Sequence, residues 1–416
     1  MHKSKKQSTH LPLFILIGVV LFILSNFIEE LRVSQGTTIA VYVIAISSII
    51  LLTGYSGQVS LGHGALMAIG AYAAAVLRLE FNLPIILCFV AAVLAAAIGG
   101  LLLGMAAARL SGPYLAGTTL ALAIGLPSLA NQFPILGGEQ GREFKVGPPD
   151  FEPEVVAATG PLTISGNLLS ILDKLQTTLS TGAWPGASPM STYKWWFWIA
   201  ALAALISMWS VRNILNSAYG RSWRAGRGNE VAAQLAGINT ARSKVLAFTI
   251  SAGIAGLAGA LLAMSIGTVS PSAFPLALSF SLLTGAVLAG ITTLGGVIIG
   301  SVILVAIPEI ADVVAHRLGS SESVTTNLPG LIVSGLLILT VLFVPNGPVE
   351  QHRARKAKHE AAHGGTKKER SKSSNSRNNP RWTETHESTT TPYVASSNSG
   401  TSHSWFSCNS YSCSSG

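Results

Sequence analysis

Long apolar runs alternate with short polar breaks along most of the chain. Windows at 11–28, 37–53, 60–78, 83–107, 114–131, 194–211, 244–266, 276–293, 296–315 and 328–345 each approach the roughly 20 predominantly apolar residues that a membrane-crossing helix needs. The pattern predicts an all-α, polytopic membrane protein with about ten transmembrane helices, each window uncertain by several residues at its ends. The run at 276–315 is the hardest to divide, because Gly290, Gly295, Gly296 and Gly300 punctuate it without any charge. The first run follows Lys3, Lys5 and Lys6, as a secretory signal would. It is longer than a typical signal core and no small-residue cleavage site follows, so a retained first helix is the expectation.

Composition agrees. Hydrophobic residues make up 49% of the chain and charged residues only 11%, well below the quarter expected of a soluble globule. The net charge of +9 is concentrated in loops and tail. It is read as the bias of Lys and Arg toward cytoplasmic loops, not as a nucleic-acid surface. With the N-terminus in the cytoplasm, ten crossings put Arg109, the basic 212–244 stretch and the C-terminal tail on one side, both termini inside. Glu29, Glu30 and the acidic 132–193 segment then fall on the other side. That segment is broken by seven prolines, includes an amphipathic stretch from Leu162 to Leu179, and ends on Trp184, Tyr193, Trp195 and Trp196. It reads as an extracytoplasmic cap whose aromatics suit a membrane–water interface. Residues 350–416 are polar and basic, then Ser-rich, and are expected to be a disordered cytoplasmic tail. The Arg353–Lys372 cluster fits either a solvated, dispensable tail, the reading favoured first, or an electrostatic hold on anionic lipid. The chain thus divides into an N-terminal tail and first helix (1–36), a transmembrane domain (37–349) and the tail.

Signatures of chemistry are few. No phosphate-binding G-x-x-x-x-G-K-[ST], H-E-x-x-H or G-x-S-x-G occurs, so neither ATP hydrolysis nor these enzyme classes is indicated. The three cysteines, Cys88, Cys408 and Cys413, form no metal or disulfide pattern. Ionisable residues within the spans are very few, with Arg78, Glu309, Asp312 and His316 near span ends among them. That scarcity argues against an ion-coupled carrier, which places carboxylates or His deep in its bundle. Glu309 and Asp312 share one helix face, which fits a relay or a plain place at the rim beside Arg317. Ala252, Gly256 and Ala260 share a face, as do Gly296 and Gly300. Such small-residue faces are read first as helix-packing surfaces.

Two polar stretches stand out. Gly54, Tyr55, Ser56, Gly57, Gln58, Val59, Ser60, Leu61, Gly62, His63 and Gly64 lie between two apolar runs. Irregular backbone at membrane depth is tolerated only where it is buried in protein or lines water. Gly54, Ser56, Gly57, Gln58, Ser60, Gly62, His63 and Gly64 are therefore candidates for the lining of a translocation path. His63, at a helix start, either faces that path or is structural. The second stretch, within 212–243, has Asn229 as an N-cap for a helix starting at Glu230, with Gly237 ending it after about two turns. So short a helix has little stability of its own. Spacing leaves open whether it docks on a partner or is a plain connector.

Gly54 through Gly64 resembles the signature of LivM-type permeases of branched-chain amino-acid ABC importers. Gly220-Arg221, Arg224-Ala225, Glu230, Ala232-Ala233, Gly237-Ile238-Asn239, Lys244 through Ala263, Ser279 through Gly300 and Leu342 through Gly347 are also similar to that family. Two features depart from it: Leu136 through Gly141 stands where the family typically has Thr-Gly-Gly, with an insertion after it, and the tail beyond Glu350 has no counterpart. The resemblance implies a non-enzymatic permease subunit in the cell (inner) membrane, with no cofactor of its own. It implies a second, LivH-like permease subunit, two ATP-binding cassette subunits that bind the ATP, and an extracytoplasmic solute-binding protein. It also implies ATPase coupling through the short cytoplasmic helix, with Gly220, Arg221, Arg224, Arg227, Glu230, Ala232, Ala233 and Gly237 as the coupling residues. Related permeases carrying urea or short amides remain an alternative within the class, and an ion-coupled carrier or channel one outside it.

Overall fold

A computed structural model describes residues 30–110, 113–144, 192–290 and 294–317, with isolated helical positions at 16, 18, 20, 331, 332, 335 and 338. All belong to one compact unit, Met1–Ala357. The helices are α1 (Glu30–Ile49), continued by a π-helical turn (Ile50–Tyr55), α2 (His63–Phe81), α3 (Ile85–Arg109), α4 (Pro113–Gln132) and α5 (Thr192–Asn216). Then come α6 (Ala218–Gly228), α7 (Glu230–Leu235), α8 (Thr240–Ile266), α9 (Leu276–Ala289) and α10 (Val297–Arg317). Among the described residues six helices are long and apolar enough to cross a membrane, or seven if α4 and the turns beyond it, bent by 101°, count as one. Eight of the expected windows coincide with described helices. The windows at 11–28 and 328–345 are described only at the isolated positions.

α1 and α8 form the centre. In their apolar windows 72% and 67% of residues are buried, against 28% for α3 and α5 at the periphery. α8 packs on α3, α2 and α1, while α1 also meets α5, α9 and α10. Helices in lipid gain nothing from hydrophobic exclusion between them and rely on close packing. The small-residue face on α8 serves that purpose. A Cβ at Gly70 of α2 would overlap the Gly256 backbone, and one at Gly259 would overlap the Met67 carbonyl. On α3, Gly100 lies as tightly against Ala252. Gly300 packs in the same way against Gly285, joining α10 to α9.

Several local expectations change. The largely polar stretch 30–36 ahead of the apolar window is helical in α1, where Arg32 donates to Gln35 and Gln35 donates to the Glu309 carboxylate of α10. Glu309 therefore ties two helices together. For Asp312, His316 and Arg317 only the helical backbone is described. Beyond α4, two 3₁₀ turns (Pro134–Leu136 and Gly138–Gln140) lead to a two-residue strand, β1 (Arg142–Glu143). It pairs antiparallel with β2 (Thr268–Val269) after α8, Arg142 opposite Val269. An Arg142–Glu80 ion pair fastens β1 to the end of α2, so the start of the 132–193 segment is anchored on the bundle. The rest of it, with the expected helix from Leu162 to Leu179, lies outside the described residues, as does the 350–416 tail. Trp195, expected at an interface, is only 3% exposed and belongs to the core. Tyr193 remains outside and meets Trp196 edge-to-face at 5.5 Å. Cys88 is buried, with its thiol near the Leu83 carbonyl.

Candidate functional site: a polar cleft beneath two short helices

The end of α1 departs from α-helical winding. Ser47 and Ser48 hydroxyls bond back to the Ile44 and Ala45 carbonyls, a pattern that loosens and bends helices. The π-helical turn follows at once, and such turns recur at functional sites. The Thr53 hydroxyl donates to the Gln58 carbonyl and the Gln58 amide to the Leu52 carbonyl. The chain thereby folds back on itself at Gly57, whose φ of +74° suits glycine.

From there the backbone runs inward instead of along the surface. His63, the first residue of α2, reaches Ser251 of α8 at 3.1 Å. Ser251 lies about 16 Å along α8 from its start at Thr240, at a rise of about 1.5 Å per residue. α2 thus begins inside the bundle, where its unpaired N–H groups need partners. The Leu61 N–H donates to the Thr119 hydroxyl at 3.0 Å and the Gly64 N–H to the Ser279 hydroxyl at 2.9 Å. The Ser251 hydroxyl gives its single hydrogen to the Ser48 carbonyl at 2.8 Å. His63 must then donate through Nε2–H, leaving buried Nδ1 as an acceptor with no partner among the described residues.

The second stretch is more helical than its sequence implies. α6 occupies Ala218–Gly228, where the sequence reading places a helix only from Glu230. Its glycines lower helix propensity, yet Trp223 overrides them: the ring is buried and its Nε1–H donates to the Ser243 carbonyl at 2.9 Å. The spacing of Gly220, Trp223 and Arg227 is the signal that could have revealed this face. α7 has the expected caps. The Asn229 side chain accepts from the Ala232 N–H at 3.0 Å. At the other end Gly237, with φ +82°, donates to the Gln234 carbonyl, while the Ile238 N–H reaches the Ala233 carbonyl. These two bonds make a Schellman ending. Asn229→Ala should cost α7 about 1 kcal/mol. Hydrogen exchange at the Ala232 amide is then expected to accelerate with the rest of the bundle unchanged, and equal exchange rates would rule out the cap's contribution.

The two stretches, distant in sequence, meet. Arg227 donates to the Gly54 carbonyl, and its stem lies against Gly57. Arg224 bonds the Gly220 and Leu215 carbonyls, both at 3.0 Å, and its guanidinium sits 5.9 Å from the Tyr55 ring centroid. Glu230 pairs with Lys244 of α8 at 2.7 Å. Together they enclose a cleft of about 750 Å³, lined by Ser56, Gly57 and Gln58 on one side and Trp223, Arg227 and Glu230 on the other.

The candidate residues therefore separate. Ser56, Gly57 and Gln58 line the cleft, and Gly54 lies buried behind it. Ser60, Gly62, His63 and Gly64 are buried further in, packed among α4, α8 and α9. Of the second set, Arg227 and Glu230 line the cleft, Gly220 packs closely on the Leu215 backbone and Ala233 is buried. Arg221, Ala232 and Gly237 are exposed. Lys244, Thr53, Trp223 and Ser243 line the cleft without having been singled out for the site from sequence. Among the described residues no cluster of His, Cys, Asp and Glu suits a metal ion.

A family model described as branched-chain amino acid transport system / permease component matches residues 33–342. The chain is 31% identical over 363 residues to the high-affinity branched-chain amino acid transport system permease protein LivM of Escherichia coli (strain K12), covering 85% of this chain and 78% of that protein. It is 31% identical over 326 residues to LivM of Salmonella typhimurium, covering 76% and 69%. The permease protein LivH of Salmonella typhimurium shares 35% identity over 150 residues, covering 36% of this chain and 45% of LivH. No solved structure matches.

Proposed function

The chain belongs to the family of permease components of branched-chain amino acid transport systems, and on that premise we propose that it forms the membrane path of an ABC importer for hydrophobic amino acids. It is a multi-pass membrane protein. In the proposed assembly it pairs with a LivH-like permease, receives solute from an extracytoplasmic binding protein, and is driven by two ATPase chains that hold the ATP. It has no catalytic role of its own. The basic face bearing α6 and α7 is cytoplasmic by the charge bias of its loops, with both termini on that side.

One observation carries the coupling part of this reading. α7 has only six residues, too few to persist for its own sake, yet it is capped at both ends and holds Val231 and Leu235 outward, 66% and 86% exposed. These lie four apart and share a face, as a helix does when its apolar side enters a partner's groove. Ser56, Gly57 and Gln58 would form the inner mouth of the path, offering hydroxyl and backbone groups to a passing zwitterion without gripping its charges.

Uptake by the reconstituted assembly tests the proposal. Labelled leucine is expected to accumulate in proteoliposomes only with both ATPases, ATP and the binding protein, and excess urea should not compete. Urea uptake in place of leucine would move the chain to the amide-transporting permeases. Accumulation driven by an ion gradient without any ATPase would overturn the assignment.

A further inference from the structure

Arg224 and Arg227 belong to the motif that the family resemblance reads as facing the ATPase, yet their guanidinium groups turn toward this chain's own polar segment. Three contacts join α6 to the end of α1: Arg227 to the Gly54 carbonyl, the Arg227 stem on Gly57, and Arg224 beside the Tyr55 ring. Gly54 lies in a π-helical turn, and its carbonyl takes a charged donor at the point where winding changes. A hydrogen bond to a charged group is the stronger kind. Arg224 also grips the Leu215 and Gly220 carbonyls across the α5–α6 corner, so α6 and that corner are joined. α7 follows α6 across the single residue Asn229. These contacts form a continuous physical connection from α7 through α6 to Gly54–Gly57, and residues 58–62 lead from there to the buried start of α2.

We propose that Arg227, braced by Arg224, is a positioning residue that transmits movement of α7 to the 54–58 segment and so controls the opening of the cleft at Ser56–Gln58. The inference rests on the ABC reading above, but it assigns Arg227 to linkage within the chain and leaves docking to the exposed face of α7.

The test uses the full chain with Cys88, Cys408 and Cys413 replaced by serine, assembled with its partner permease and ATPases in proteoliposomes, and carrying Val59→Cys in the cleft lining as a reporter. A membrane-impermeant maleimide should label this cysteine at different rates in the ATP-free and vanadate-trapped states. Arg227→Met keeps the apolar stem on Gly57 but removes the donor. It is expected to abolish the difference between states and to lower solute transported per ATP hydrolysed about tenfold, the scale of a typical coupling between sites. ATP hydrolysis should continue and the ATPases remain bound. Arg227→Lys retains a donor on a similar stem and should restore most of the difference. A Met variant that keeps state-dependent labelling overturns the proposal. So does one that loses the ATPases, since Arg227 would then be a docking residue. Failure of the ABC reading itself would look different: the unsubstituted chain would neither bind ATPases nor respond to ATP.

Discussion

Leu235→Glu is expected to abolish ATP-driven uptake while the permease still accumulates in the membrane. Leu235 is 86% exposed and touches little of its own chain. Exposed substitutions of that kind usually change stability by no more than about 0.5 kcal/mol. In the proposed assembly, however, it is the apolar anchor of α7. Removing an interface anchor typically costs about 2 kcal/mol or more, and a carboxylate adds the desolvation of a charge in an apolar groove. ATPase chains should therefore no longer co-purify, and uptake should fall to the level without ATP. Leu235→Met, which keeps the volume, should retain both. Co-purification and uptake unaffected by the glutamate would remove α7 from the coupling mechanism.

Gly256→Leu should have a comparably large effect of the opposite kind, on folding instead of coupling. Gly256 lies where α2, α3 and α8 converge. A Cβ there would overlap Ala96 and come within 2.7 Å of the Ala92 carbonyl, and the Gly70 backbone closes the other side. Added methylenes in a tight core cost about 1–3 kcal/mol, occasionally more. Here the neighbouring atoms include helix backbone, which cannot rotate aside. The variant is expected to give little monodisperse protein on size-exclusion chromatography in detergent. Gly125→Leu on α4 is the matched control, since a Cβ there meets nothing within 4 Å. It should elute like the parent, and equal yields for both variants would refute the packing argument.

Much of the fold was legible because its determinants are local. The apolar windows from 37 to 315 locate eight of the ten described helices to within several residues, since spanning length and hydropathy are properties of a single segment. Asn229 and Gly237 mark both ends of α7, because capping is a contact between a residue and its own next turn. Where the reading fell short, a distant partner was responsible. The polar turns of α1 ahead of the 37–53 window hold a contact from Gln35 to Glu309 of α10. α6 is helical against its glycine content because Trp223 finds the Ser243 carbonyl on α8. Trp195 is core and not interface because of the helices around it.

The sequence by itself therefore determined a helical membrane protein, the order of its spans, the caps of α7 and the two polar stretches worth following. Only the tertiary structure decided that these stretches form one cleft, that Ser60 through Gly64 lie packed behind it, and that α2 starts inside the bundle. The physical reason is range. Hydropathy and capping act within a turn or a segment. The Arg227–Gly54 and His63–Ser251 contacts exist only once small residues have let α2, α3 and α8 approach to backbone distance.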